Sequence, residues 1–482
     1  MKKVIYIIFY MIYITPAQGQ DYDLTLEPYV FETSDGRTVD AELGSFLVPE
    51  NRAKKESRML RLKFVRFKST SSTPGNPIIY LAGGPGGSGI GTARGTRFDL
   101  FMKMRAVADV IAFDQRGTGE SEGLPNYMGT WNIDFTEVLT AEKVSSPITE
   151  EVDKMVAYFE ENGSDIEGYT SRESAHDMDD LRAAINAEKL NVWGISYGTH
   201  LGLTYLKQYE DKVDRMILAG LEGYNHTVKM PRDQQELLEA IDSLIKKDPE
   251  ASKAYPDFLG DMAAVLESVD KNPVVIETVS PFDGSVVKVT IGKLSLQQLF
   301  SWYLGGPDIF KDLPYHVSLM KNGDFSGLKE YALYTHLGRL NGMSTAMDAA
   351  SGLTQERRLK IKEQAEHTLL GDAINFPYLI VHDALPQLDL GDEFREPFTS
   401  DVPVLCISGT LDGRTAVNNA DETLKTLRKG VHLIIEGAGH SDPLFLSSPR
   451  IGEVMAEFAS GKKVEHERIK LPPMKFKLPT DQ

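Results

Sequence analysis

The sequence predicts an α/β fold with a mostly parallel sheet flanked by helices, on three observations. Short runs rich in Ile, Val and Leu recur along the chain, helical stretches lie between them, and one long interval, 222–400, breaks that alternation. Strand and helix in alternation mean an α/β fold. Continuous apolar runs suit parallel strands buried on both faces.

At the N-terminus, Lys2 and Lys3 precede the apolar run 4–14, which leads to the small-x-small stretch Ala17-Gln18-Gly19. A basic start, a short apolar stretch and such a site describe a cleaved signal peptide over 1–19. The protein is therefore expected to be exported, to the periplasm or beyond. An ordinary membrane-spanning helix needs roughly 20 apolar residues, so an uncleaved anchor is the less favoured alternative.

The runs 43–49 and 59–67 read as early strands, the second setting Leu60, Leu62 and Phe64 on one face. The runs 78–82, 107–113, 190–195, 215–219, 402–407 and 431–436 are short and apolar, as buried parallel strands are. A helix over 172–187 opens with the capping-box pattern Thr170-x-x-Glu173. These elements place a core domain over 20–221 and 401–470. The interval between has helical stretches at 233–247, 294–304 and 354–370. It also has an alternating pair, 274–279 and 286–291, joined through Pro281-Phe282-Asp283-Gly284, which reads as a β-hairpin. Residues 222–400 are thus expected to form a mainly helical cap inserted into the sheet domain. Residues 471–482 are expected to be an exposed tail.

A formal charge of −18 over 482 residues excludes a nucleic-acid partner, which requires a basic face. The single cysteine, Cys406, lies in an apolar run and reads as a core residue; the fold forgoes internal disulfides.

The chemistry centres on Gly194-Ile195-Ser196-Tyr197-Gly198. A strand candidate leads in and a helix candidate leads out, the context in which G-x-S-x-G holds an exposed nucleophile on a tight turn. Ser196 needs a base. Of ten histidines, His440 follows the last strand in the loop Gly437-Ala438-Gly439-His440-Ser441, whereas His432 lies in a strand and His176 and His367 in helices. Asp412, after the strand 402–407, is the acid that would orient His440; its alternative role is to start a helix. The order Ser196, Asp412, His440 is that of an α/β-hydrolase triad. The backbone N–H of Tyr197 and a donor from Gly83-Gly84-Pro85-Gly86-Gly87-Ser88-Gly89 would hold the oxyanion. That glycine loop lacks the Lys of a phosphate-binding loop.

With Gly83-Gly84-Pro85-Gly86, Phe113-Asp114-Gln115-Arg116-Gly117-Thr118-Gly119-Glu120-Ser121 and Gly194-Ile195-Ser196-Tyr197-Gly198 in that order, the chain resembles the prolyl-aminopeptidase and tripeptidyl-aminopeptidase family of serine exopeptidases. The resemblance runs from about residue 47 to His440 and is weak across 222–400. It implies the α/β-hydrolase fold and release of one or a few residues from a peptide substrate with a free N-terminus, without metal or cofactor. It implies Ser196, Asp412 and His440 as catalytic residues, Gly84 and Tyr197 as oxyanion donors, and Asp114 and Arg116 as supports of the oxyanion loop, a surface ion pair being their plainer role. Two departures stand out. Ala82 occupies the first position of the usual HGGPG, and the serine elbow is nearer the tripeptidyl branch, which argues against proline specificity.

An exopeptidase must also hold a cationic α-amino group, for which a carboxylate is the natural partner. Glu222, just past the run 215–219, would sit at the carboxyl edge of the sheet and is a candidate anchor; an exposed acid is the alternative. A carboxylesterase or lipase with the same triad, and a non-catalytic hydrolase-like binding protein, are the competing functional readings.

Overall fold

The computed structural model describes residues 22–280 and 283–480. The predicted signal peptide, and Pro281 and Phe282 of the predicted hairpin, lie outside the described residues.

Ten strands form one sheet: β1 (Thr25–Glu32), β2 (Thr38–Pro49), β3 (Met59–Phe67), β4 (Ile78–Leu81), β5 (Val110–Asp114), β6 (Leu190–Ser196), β7 (Val213–Leu221), β8 (Val404–Gly409), β9 (Gly430–Glu436) and β10 (Glu467–Lys470). Their spatial order is β1-β2-β3-β5-β4-β6-β7-β8-β9-β10. The pairs from β1 to β3, and β3 with β5, are antiparallel; every pair from β5 through β10 is parallel. The α/β-hydrolase fold expected from the motifs is the fold observed.

Sequence alternation decides the layers. Ile79, Leu81, Ile111 and Phe113 pack into one apolar layer, and Ile78, Tyr80, Val110 and Ala112 into the other, as the period of two in a strand requires. Every residue of β4 and β5 is buried. Trp193 at the centre lies edge-on to Tyr80, ring centroids 4.7 Å apart. Each such large apolar side chain contributes about 1.5–3 kcal/mol on burial. The helix Ser171–Ala184 begins where its capping box predicts, with Thr170 Oγ accepting from the Glu173 N–H.

The chain between β7 and β8 is mainly helical and carries the antiparallel hairpin Val274–Val279 and Val286–Ile291. It does not pack as one body. Leu238, Ile241, Phe258, Met262, Leu296 and Phe300 share an apolar cluster of their own. Leu340, Met343, Met347, Val381 and Leu388 instead join the layer beneath the sheet. The C-terminal stretch also differs from expectation. Phe476 is buried in the helical cluster, and the Lys477 N–H donates to the Lys311 carbonyl at 3.2 Å. Met474, Phe476 and Leu478 give that stretch an apolar side, so it docks rather than trailing as an exposed tail. Among the described residues, no helix is long and apolar enough to cross a membrane.

Candidate active site

Ser196 closes β6 and precedes the helix Tyr197–Gln208 with φ +54° and ψ −128°. Such a backbone conformation is strained for any residue but glycine and persists only where its surroundings force it. The surroundings do so here. A Cβ on Gly194 would lie 2.6 Å from the Gly198 carbonyl oxygen, and one on Gly198 would lie 2.2 Å from that of Leu81. Both flanking positions of the motif must therefore be glycine for the turn to close against β4.

The loop after β4 crosses directly over this turn. A Cβ on Gly83 would be 2.9 Å from Ser196 Cβ and 3.6 Å from its Oγ. Among the described residues the Gly84 N–H makes no hydrogen bond. As the first residue of its helix, Tyr197 has an N–H with no intrahelical acceptor. Asp114 fastens the loop: its Oδ1 accepts from Ser88 Oγ at 2.6 Å and the Ile90 N–H at 3.1 Å, and its Oδ2 accepts from the Glu120 N–H at 2.8 Å. Gln115, which the sequence did not single out, donates to the Ala82 carbonyl at 3.3 Å.

Arg116 serves elsewhere. It is fully buried, forks onto Asp177 of the helix Ser171–Ala184 at 2.6 and 2.7 Å, and donates to the carbonyls of Pro49, Glu50 and Gly168. A buried guanidinium needs a carboxylate and a full set of acceptors, which the glycine loop does not offer. Neither a surface ion pair nor a direct brace of that loop, Arg116 ties the helix to β2.

His440 and Asp412 meet. The imidazole Nδ1 lies 2.8 Å from Asp412 Oδ2. Asp412 Oδ2 also accepts from Thr415 Oγ at 2.7 Å, and its Oδ1 accepts the N–H groups of Arg414 and Thr415, both at 2.8 Å. Burial works to raise the carboxyl, but the charge of His440 and these hydrogen bonds outweigh it, and Asp412 lies below its ordinary range. Nδ1 is thereby fixed as donor and Nε2 left as acceptor. Arg97, also unforeseen, steadies the histidine loop by donating to Ser441 Oγ at 2.9 Å, Asp442 at 2.8 Å and the Tyr80 hydroxyl at 2.7 Å.

Ser196, His440, Gly83, Gly84 and Glu222 line one cavity of about 460 Å³. Among the described residues Ser196 Oγ makes no hydrogen bond. Nucleophile–base bonds in free enzymes often tighten only with substrate in place.

Glu222 is buried, 6% exposed, and holds the ammonium of Lys229. It is not the exposed acid of the alternative reading. Beyond it stands Asp348, in the helix Gly342–Ser351, lining a second cavity of about 290 Å³ that shares Gly84 and Tyr378 with the first. Burial and then the charge of Glu222 push the Asp348 carboxyl well above its usual value. The one signal for it in the sequence is that it is the sole charge in Gly342–Ser351.

His200 joins the two carboxylate-bearing elements. Its Nδ1 donates to the Gly223 carbonyl and its Nε2 accepts from Ser351 Oγ, both at 3.0 Å. Burial lowers it to about 4 from an ordinary 6.5. The fold favours the neutral ring, so below pH 6.5 the unfolded chain takes a proton that the folded chain refuses until about pH 4. This stabilisation is present above pH 6.5 and is lost as pH falls, by about 3 kcal/mol in full. The difference in unfolding free energy between wild type and His200→Asn should accordingly shrink from pH 7 to 4 in urea titrations. A pH-independent difference would refute this account.

Comparison with known proteins accords with this architecture. A family model described as the alpha/beta hydrolase fold matches residues 76–278. Over 191 residues the chain is 33% identical to a tripeptidyl aminopeptidase of Streptomyces lividans, covering 37% of this chain and 34% of that protein. It is 28% identical over 185 residues to serine protease Hip1 of Mycobacterium tuberculosis, covering 37% and 35%. It is 28% identical over 160 residues to a probable proline iminopeptidase of Leptolyngbya boryana, covering 33% and 36%. The chain spans about a third of the length of the curated relatives it matches. Strand order and family match together give this chain the α/β-hydrolase fold, and over about a third of its length it is similar to tripeptidyl aminopeptidases and proline iminopeptidases.

Proposed function

We propose that the chain is an exported serine hydrolase that releases one or a few residues from peptide N-termini through an acyl-enzyme on Ser196. The observation that carries the reading is the 2.8 Å His440–Asp412 bond facing the same cavity as a serine on a strained elbow. His440 Nε2 takes the Ser196 proton as Oγ attacks the scissile carbonyl. The N–H groups of Gly84 and Tyr197 receive the oxyanion. His440 returns the proton to the departing amine, and water, activated by the same imidazole, releases the acyl group. Export rests on the N-terminal basic-apolar pattern.

A peptidase reading, rather than an esterase one, is supported by the acids beside the serine. Glu222 already holds one ammonium, that of Lys229, and Asp348 stands near it. Together they suit a free α-amino group, and residues 222–400, read as a cap, supply both acids and the Ile374 and Tyr378 side of the cavity.

The decisive measurement compares free-amino peptidyl anilides with their N-acetylated forms and with short aryl esters. Free-amino substrates should be strongly preferred. Glu222→Gln should raise KM for them about ten- to a hundredfold, as loss of a charge-assisted hydrogen bond does, with little change for blocked ones. Turnover of esters alone would replace the peptidase reading with the esterase one.

A further inference from the structure

The charged groups around the 460 Å³ cavity are paired, with one exception. Glu222 has Lys229, Arg97 has Asp442, and His440 has Asp412. Arg414 also lines the cavity, yet among the described residues its guanidinium meets no carboxylate and donates no hydrogen bond; its own N–H is held by Asp412. The backbone that carries it is thus locked by the same carboxylate that holds His440.

The guanidinium rests on a neighbouring turn. A Cβ on Gly305 would lie 3.6 Å from one Nη and 4.0 Å from Nε, so the guanidinium lies against the turn of residues 304–306. A Cβ on Gly413 would come within 2.0 Å of the Leu304 carbonyl oxygen, which presses the two turns together. Partial burial works against the charged form of Arg414. Proteins pair such charges because an uncompensated one is strongly destabilising. An unpaired guanidinium retained beside a serine and an imidazole is what an anionic ligand group requires, and its planar fork matches a carboxylate.

We propose that Arg414 receives a carboxylate of the substrate, so that the site favours peptides with a carboxylate close to the scissile bond. The source is either the C-terminus of a short leaving fragment or an Asp or Glu side chain. This inference rests on the peptidase reading above. It adds a cation to a site whose acids are Glu222 and, in the adjoining cavity, Asp348, and so selects short peptides charged at both ends.

The test compares kcat/KM for three free-amino peptides of equal length: one with a free C-terminal carboxylate, its C-terminal amide, and an amide carrying an internal Glu. Wild type should prefer the free acid over the neutral amide by about ten- to a hundredfold, mainly in KM. Arg414→Met should abolish that preference, and Arg414→Lys should keep part of it. If the internal Glu restores the rate of the amide, a side chain serves as the ligand; if it does not, the C-terminus does. Equal wild-type rates on all three peptides, or an equal loss on all three in Arg414→Met, would overturn the proposal. Should no peptide be cleaved, the peptidase reading fails separately. The same comparison on aryl hemisuccinate against aryl butyrate then decides whether Arg414 selects carboxylates.

Discussion

Asp412→Asn should lower kcat by about 10,000-fold, the cost of the wrong imidazole tautomer in a serine triad, while the protein stays folded. The asparagine oxygen can still accept the Arg414 and Thr415 N–H groups that Asp412 Oδ1 holds at 2.8 Å. Its amide nitrogen, in the place of Oδ2, donates where the carboxylate accepted. Nδ1 of His440 must then become the acceptor and Nε2 the proton carrier, leaving Ser196 without a base. Steady-state kinetics should show the loss in kcat with KM nearly unchanged, and labelling by a fluorophosphonate should slow in parallel. Activity within tenfold of wild type would mean that another residue orients the imidazole.

Arg116→Met should destabilise the fold by about 3–5 kcal/mol, the cost of breaking a buried ion pair by removing one partner. That is a large part of the 5–15 kcal/mol a protein usually has. The variant strands the carbonyls of Pro49, Glu50 and Gly168 and leaves Asp177 with Arg52 alone. Replacing both partners, Arg116→Met with Asp177→Leu, should recover part of the loss because no buried charge is then left over. Urea unfolding of the three proteins checks this. A shift below about 1 kcal/mol for the single variant would show that Arg52 suffices to satisfy Asp177.

The parallel strands were legible because burial on both faces writes a continuous apolar run, as in Ile78–Leu81 and Val404–Gly409. The outer strands were not. β1 is largely exposed and contains Pro28, and β10 is the charged Glu467–Lys470; edge strands need bury little. That Ser196 and His440 would line one cavity, with Asp412 against the imidazole, could be read because chain order and loop position constrain them. The nearness of Asp348, Arg97 and Arg414 to them could not, since only the fold brings these elements to the same edge of the sheet. Arg116 was noticed for its motif, but its partner Asp177 lies on another element and only the fold joins them.

The helical excursion leaves the sheet at β7 and returns at β8, strands that are hydrogen-bonded to each other from Met216 with Val404 to Ala219 with Ile407. Its two ends are therefore pinned side by side whatever its contents, and the entropy of closing such a loop grows only slowly with its length. Lengthening or exchanging the excursion would leave the register of the sheet, and the spacing of the loops at its edge, as they are. Evolution can thus retool what covers the sheet edge without rebuilding the strands and loops that carry Ser196, Asp412 and His440.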